Sequence, residues 1–120
     1  MYDLNAVTMA QEKVESWKRD HEEAQEVMDL EEALWNGLAL HWFLTQLDLQ
    51  WRIDVHAGKT EYDPEIHSAI QQLFEGWLTP CDAVEQRIQE FEGRRWKVDH
   101  AEEFRKTRSA TEAACRDLRE

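Results

Sequence analysis

A chain of 120 residues with 42% hydrophobic and 33% charged residues has the make-up of one globular domain, 1–120, and not of a disordered segment. Only four Gly and two Pro occur, none of them in the first 36 residues, which excludes an all-β fold and favours long helices. The net charge of −12 repels phosphate backbones and anionic membrane surfaces, so no nucleic-acid or membrane partner is expected, and a charge-selected partner would be a basic protein.

The charge is uneven. Residues 1–82 hold 17 acids and 5 bases, whereas residues 83–120 hold 9 of each. Six Trp are many for this length, and most should be core or interface anchors.

Val7, Ala10, Val14, Trp17, His21, Ala24 and Met28 step in threes and fours, with charged residues elsewhere. This is an amphipathic helix. Asp29 with Glu32 has capping-box form, and Met28 with Ala33 could staple a new helix there. Continuing the count from Met28, however, gives Glu31, Trp35, Leu38, Trp42, Thr45 and Leu49 in unbroken phase. That continuity predicts one helix over about 3–56.

Two apolar stripes then share the segment Leu30–Val55. One is Leu30, Ala33, Gly37, Leu40, Leu44, Leu47, Trp51 and Val55. The other is Trp35, Leu38, Trp42, Leu49 and Ile53. At about 100° per residue they lie on nearly opposite sides, so the rod must be covered on both flanks.

Gly58 offers a left-handed C-terminal cap, and Asp63-Pro64-Glu65 reads as N-cap, first-turn Pro and first-turn acid. Ile66, Ala69, Ile70, Leu73, Phe74 and Trp77 give the next helix a broad apolar face, with Gly76 closing or kinking it. Thr79-Pro80-Cys81-Asp82 starts a last helix. Its stripe runs Val84, Ile88, Phe91, Val98, Ala101, Phe104, Thr111, Cys115 and Leu118, with Gly93 as a possible kink.

The expected fold is therefore all-α: a long antiparallel helical hairpin with a helix over about 3–56 and return helices over about 64–76 and 80–118. Dimerisation would complete a four-helix-type bundle or coiled coil. The alternative is a monomeric up-down-up-down four-helix bundle with a turn near Asp29. In the hairpin the first stripe is left over, so Leu40, Leu44, Leu47 and Trp51 are the expected homodimer interface. Trp96, away from its helix's apolar stripe and ringed by Glu92, Asp99 and Glu103, is either a further contact point or a ring folded over Gly93.

Seven acids, Asp20, Glu22, Glu23, Glu26, Asp29, Glu31 and Glu32, fall within 13 residues that contain no Lys or Arg. They form either a solvated face or an acidic docking face for a basic protein.

Catalytic motifs are missing. The residues three before each of the five His are not acidic, which rules out the Glu-x-x-His di-metal pattern. His21-Glu22-Glu23-Ala24-Gln25 lacks the second His of a zinc-protease helix. Asp63 and His67 could share a metal, but an N-cap role accounts for Asp63. Cys81 sits at a helix start, where a thiolate is stabilised, yet no base is placed beside it. No catalytic, cofactor or metal site is expected.

The Trp17/His21 and Trp96/His100 spacings, with His41 beside Trp42, could instead line a small-ligand pocket. Met1–Asn5 lacks the basic and apolar regions of a signal peptide, and two unpaired thiols suit a cytoplasmic protein. The expected function is a non-enzymatic helical assembly module. The alternatives are an acidic inhibitor or chaperone-like protein and a ligand-binding bundle.

Overall fold

The structure is a computed structural model that describes residues 4–96 and 100–119. Among these residues the chain is all-helical: α1 Leu4–Glu23, α2 Val27–His56, α3 Pro64–Leu78, α4 Cys81–Glu90 and α5 Ala101–Arg119. No helix among them is long and apolar enough to cross a membrane.

The single helix expected over 3–56 does not form. The chain leaves helix at residues 24–26, close to the turn that the alternative reading put near Asp29. Both helix ends at this break are satisfied by side chains. Asp29 Oδ2 accepts from the backbone N–H of Glu26 (3.3 Å) and of Gln25 (3.4 Å), so Asp29 is the third residue of α2 and not its N-cap. At the end of α1, the Arg87 guanidinium from α4 donates to the carbonyl of His21 (3.1 Å) and to that of Ala24. Carbonyls freed at a helix C-terminus need such donors. Here the donor arrives from more than 60 residues away in sequence.

Pairwise contacts give the directions of the helices. Lys13 lies 6.0 Å from the Phe43 ring while the Trp17 ring meets Gly37, so α2 runs back along α1. Trp77 meets Gly37, His41 meets Phe74 and Trp51 meets His67, so α3 runs back along α2. The His67 Nε2–H donates to the Leu118 carbonyl (2.6 Å), while Arg105 pairs with Glu85 and Arg108 with Asp82. Helix α5 thus returns along α4 and α3. The molecule is elongated, 52 × 24 × 20 Å.

The local signals around α3 hold. Asp63 accepts from the Glu65 N–H (2.9 Å), Pro64 opens the helix, and Ile66, Ile70, Leu73, Phe74 and Trp77 are buried. Gly76 neither closes nor kinks α3, which continues to Leu78. It lets Val14 of α1 approach, because a Cβ there would stand 2.7 Å from a Val14 methyl. Thr79 does not cap α4; its hydroxyl donates back to the Glu75 carbonyl (3.0 Å).

The long return helix over 80–118 is two helices. Gly93 adopts φ +85, a left-handed conformation that ends a helix and does not merely bend it. The stripe nevertheless survives the break. Val84, Ile88, Phe91, Ala101, Phe104, Thr111, Cys115 and Leu118 are all buried, and Val98 lies outside the described residues.

The core centres on three rings. Trp17 and Trp77 stack with centroids 5.3 Å apart, and Phe104 leans on both. Each indole N–H is satisfied by a backbone carbonyl: Trp17 Nε1 donates to Trp77 O and Trp77 Nε1 to Gly37 O, each at 2.8 Å. Helices α1, α2, α3 and α5 are thereby pinned at one level.

Candidate protein-interaction surface

Helix α2 holds 30 residues, about 45 Å at the helical rise. The stripe expected to meet a second chain faces inward instead. Leu30, Ala33, Gly37, Leu40, Leu44, Leu47 and Trp51 are buried, and the Leu and Trp side chains among them join one cluster with side chains of α1, α3, α4 and α5. Leu44 is 1% exposed and Trp51 3%. The physical reason is the break at 24–26. It folds α1 back over α2, so this chain's own helices cover the face that a straight rod would have left open.

The other stripe faces outward. Trp35, Trp42, Leu49 and Ile53 are exposed, with Trp35 at 58% and Trp42 at 66%, Leu38 is half-buried, and exposed Met28 extends the row to five exposed residues. Four of the five stand seven residues apart, at 28, 35, 42 and 49. On a helix that interval returns each side chain to nearly the same azimuth, so they form one ridge along the rod. Scattered surface apolar residues need no explanation, but a contiguous row of large ones marks a contact surface.

The surroundings of the ridge are graded. Ala33 to Leu47 contains no Asp, Glu, Lys or Arg, so its middle is uncharged. Glu31 and Glu32 flank its N-terminal end, and Arg52 and Asp54 its C-terminal end. Arg52 Nε lies 3.0 Å from Asp48 Oδ1. Burial pushes the Asp48 carboxyl above its ordinary value, and the Arg52 charge opposes that rise. Beside Trp42 the seam between α1 and α2 opens into a groove of about 400 Å³, whose walls include Lys13, Ser16, Asn36, Ala39 and Phe43.

The acidic residues divide. Glu22, Glu23, Glu26, Asp29 and Glu32 are exposed, while Asp20 and Glu31 are half-buried. Asp20, Glu23, Asp29 and Glu32 open onto one shallow cleft of about 400 Å³ between α1 and α2. Among the described residues no group of three or more His, Cys, Asp or Glu is arranged to hold a metal ion. Trp96 is half-buried and packs against the core. It shares a concavity of about 350 Å³ with Ile88, Gly93, Ala101 and Arg105.

The aromatic–imidazole pairs form across helices, not along them. His41 meets Trp77 (5.6 Å) and Phe74 (6.3 Å) rather than Trp42. His100 meets Trp35 (5.7 Å), and His67 meets Trp51 (6.0 Å) and Tyr62 (6.0 Å). Burial lowers the His41 pKa. Asp63 is spent on its N-cap, and the backbone N–H of His67 returns to the Asp63 carbonyl. Cys81 does not gain from its helix terminus: burial pushes its thiol up to about 12. Cys115 is raised for the same reason, and both cysteines are free and buried.

Sequence reasoning found both stripes of α2 and inverted their roles. One signal could have set them right. Gly37 belongs to the first stripe, and a glycine inside a long helix marks a face that another element approaches closely. No protein-family model, curated protein or solved structure matches this chain.

Proposed function

We propose that the protein is a non-enzymatic helical interaction and assembly module, a self-contained helical bundle that docks its partner on the outer face of α2. One observation carries this reading: the solvated ridge Met28, Trp35, Trp42, Leu49 and Ile53 on a helix whose opposite face is fully packed. Exposed Trp at the centre of an apolar strip is the side-chain chemistry of binding hot spots. The groove beside Trp42 gives a partner side chain a place to seat.

The test is photo-cross-linking in the native cell, with a photoreactive residue at position 42 and a control at Gln11 on the exposed face of α1. A discrete covalent adduct from position 42 and none from position 11 supports the reading. No adduct from position 42 sinks it.

A second reading, docking of a basic protein, has the cleft of Asp20, Glu23, Asp29 and Glu32 in its favour. It requires binding that falls steeply with added salt, because exposed charges are screened within about 8 Å at physiological ionic strength. The two free, buried thiols fit a reducing compartment such as the cytoplasm.

A further inference from the structure

We propose that the partner on the outer face of α2 is a second copy of this chain, bound antiparallel about a two-fold axis beside Trp42. This rests on the reading of that face as the docking surface and names its occupant.

The spacing of the ridge is self-complementary. Reversal about Trp42 sets Trp35 opposite the partner's Leu49, and Leu49 opposite the partner's Trp35. Large rings thus meet smaller aliphatic side chains on either side of a central Trp pair. A closed two-fold contact needs such a patch, one that matches its own reverse.

Charge selects the orientation. The segment from Asp20 to Glu32 carries seven acids and no Lys or Arg, and it spans the end of α1 and the start of α2. A parallel pair would place these segments side by side, within about one helix-packing distance of 10 Å. An antiparallel pair holds the acids that open α2, Glu26 to Glu32, roughly 30–50 Å from their counterparts, several screening lengths. The uncharged run Ala33–Leu47 then meets itself at the centre.

Reversal also brings unlike charges together. Arg52 lies ten residues beyond Trp42 and Glu31 eleven before it, so Arg52 and the partner's Glu31 fall at nearly one level, on the same flank of the seam. The carboxylate of Asp48, which already pairs with Arg52 within the chain, completes the charge group on that flank.

The area is sufficient. The five exposed side chains offer roughly 500 Å² of apolar surface per protomer, or about 1,000 Å² for the pair. Adjoining Leu38, Ala39, Thr45 and Gln46 bring the pair into the range of about 1,200–2,000 Å² that stable interfaces bury.

The experiment is sedimentation of the full chain across the micromolar range, with substitutions read against it. Wild type should sediment at twice the 14.3 kDa protomer mass at high concentration. Trp42→Glu should weaken association at least about thirtyfold while helicity is kept. Leu49→Lys is the companion if Trp42→Glu lowers helicity, and loss of helicity in both would overturn the proposal by placing the ridge inside the fold.

Arg52→Glu should weaken the dimer roughly three- to tenfold, and Arg52→Glu with Glu31→Arg should restore it. Absence of rescue overturns the antiparallel register. A wild-type monomer at every concentration overturns the second copy as partner. The cross-link at position 42 keeps the two readings apart. An adduct of twice the chain mass supports this proposal, and one of any other mass overturns it while leaving the docking face in place. No adduct at all removes both.

Discussion

The Trp17 ring lies over Gly37 so closely that a Cβ added at residue 37 would stand 2.3 Å from Cζ3 of the indole. Trp17 is itself buried and held by its own hydrogen bond to the Trp77 carbonyl. It cannot swing aside without breaking the stacked pair. Alanine would gain about 1 kcal/mol of helix propensity over glycine. Overpacking costs about 1–3 kcal/mol in a closed core, and here the contact is at clash distance. Gly37→Ala is therefore expected to destabilise the fold by about 1–2 kcal/mol net, measured as a lowered urea midpoint. A stability equal to or above wild type would show that the ring has room.

Arg87 is expected to hold the turn between α1 and α2. It donates to the carbonyls of His21 and Ala24 and pairs with Glu90 at 2.5 Å. Its side chain also lies along the Phe91 ring, 5.3 Å from the centroid. Hydrogen bonds involving a charged group contribute about 1.5–3 kcal/mol each, so Arg87→Met should destabilise by roughly 2 kcal/mol. Hydrogen exchange should rise first in residues 22–27. Uniform exchange across the chain would argue against a local role.

The two faces of α2 should respond oppositely to truncation. Leu44 is fully packed, and Leu44→Ala is expected to cost about 2–5 kcal/mol through lost transfer energy and a cavity. Leu49 is 45% exposed, and Leu49→Ala should change protomer stability by no more than about 0.5 kcal/mol. Chemical denaturation at protein concentrations too low for association separates the two. Equal costs would mean that the outer ridge is part of the core.

Two groups on α2 give stability opposite pH slopes. Burial lowers the His41 pKa, so the folded state takes up its proton less readily than the unfolded chain. Its contribution is complete above the ordinary value of 6.5 and is lost as pH falls below it. The buried Asp48 carboxyl is raised from 3.8, so the folded state keeps that proton longer. Its charged form costs stability as pH climbs from 3.8 through the raised value. His41→Gln should flatten the loss of stability just below pH 6.5, and Asp48→Asn should remove the opposing slope at lower pH. Unchanged slopes in either variant would contradict the assignment.

The cysteines should report on unfolding. With the Cys81 thiol pushed up to about 12 and both side chains buried, alkylation of the native protein should be negligible at neutral pH. Labelling should appear together with loss of helicity in denaturant. Rapid labelling of the native state would show that α4 or α5 opens locally.

Much of the local structure was written in residues close together in the chain. Asp63-Pro64-Glu65 specified the start of α3, and Val7 to His21 specified the inner face of α1. Gly93 signals a kink in the sequence and follows a helix end in the structure, because only the dihedral angle separates the two. The acidic run and its lack of Lys or Arg were equally plain, since charge can be counted along a chain.

The turn at residues 24–26 was legible only as the alternative, through the capping-box form of Asp29 with Glu32, and choosing the unbroken helix over it inverted the two stripes. No Gly or Pro marks it, and the apolar phase runs straight through it. Its carbonyls are satisfied by Arg87, and the approach it permits is secured by Trp17 over Gly37. Periodicity along one helix fixes which side chains share a face, because that is a matter of backbone geometry. Which of two apolar faces turns inward depends on where distant segments supply hydrogen-bond donors and close packing, and only the tertiary structure decides that.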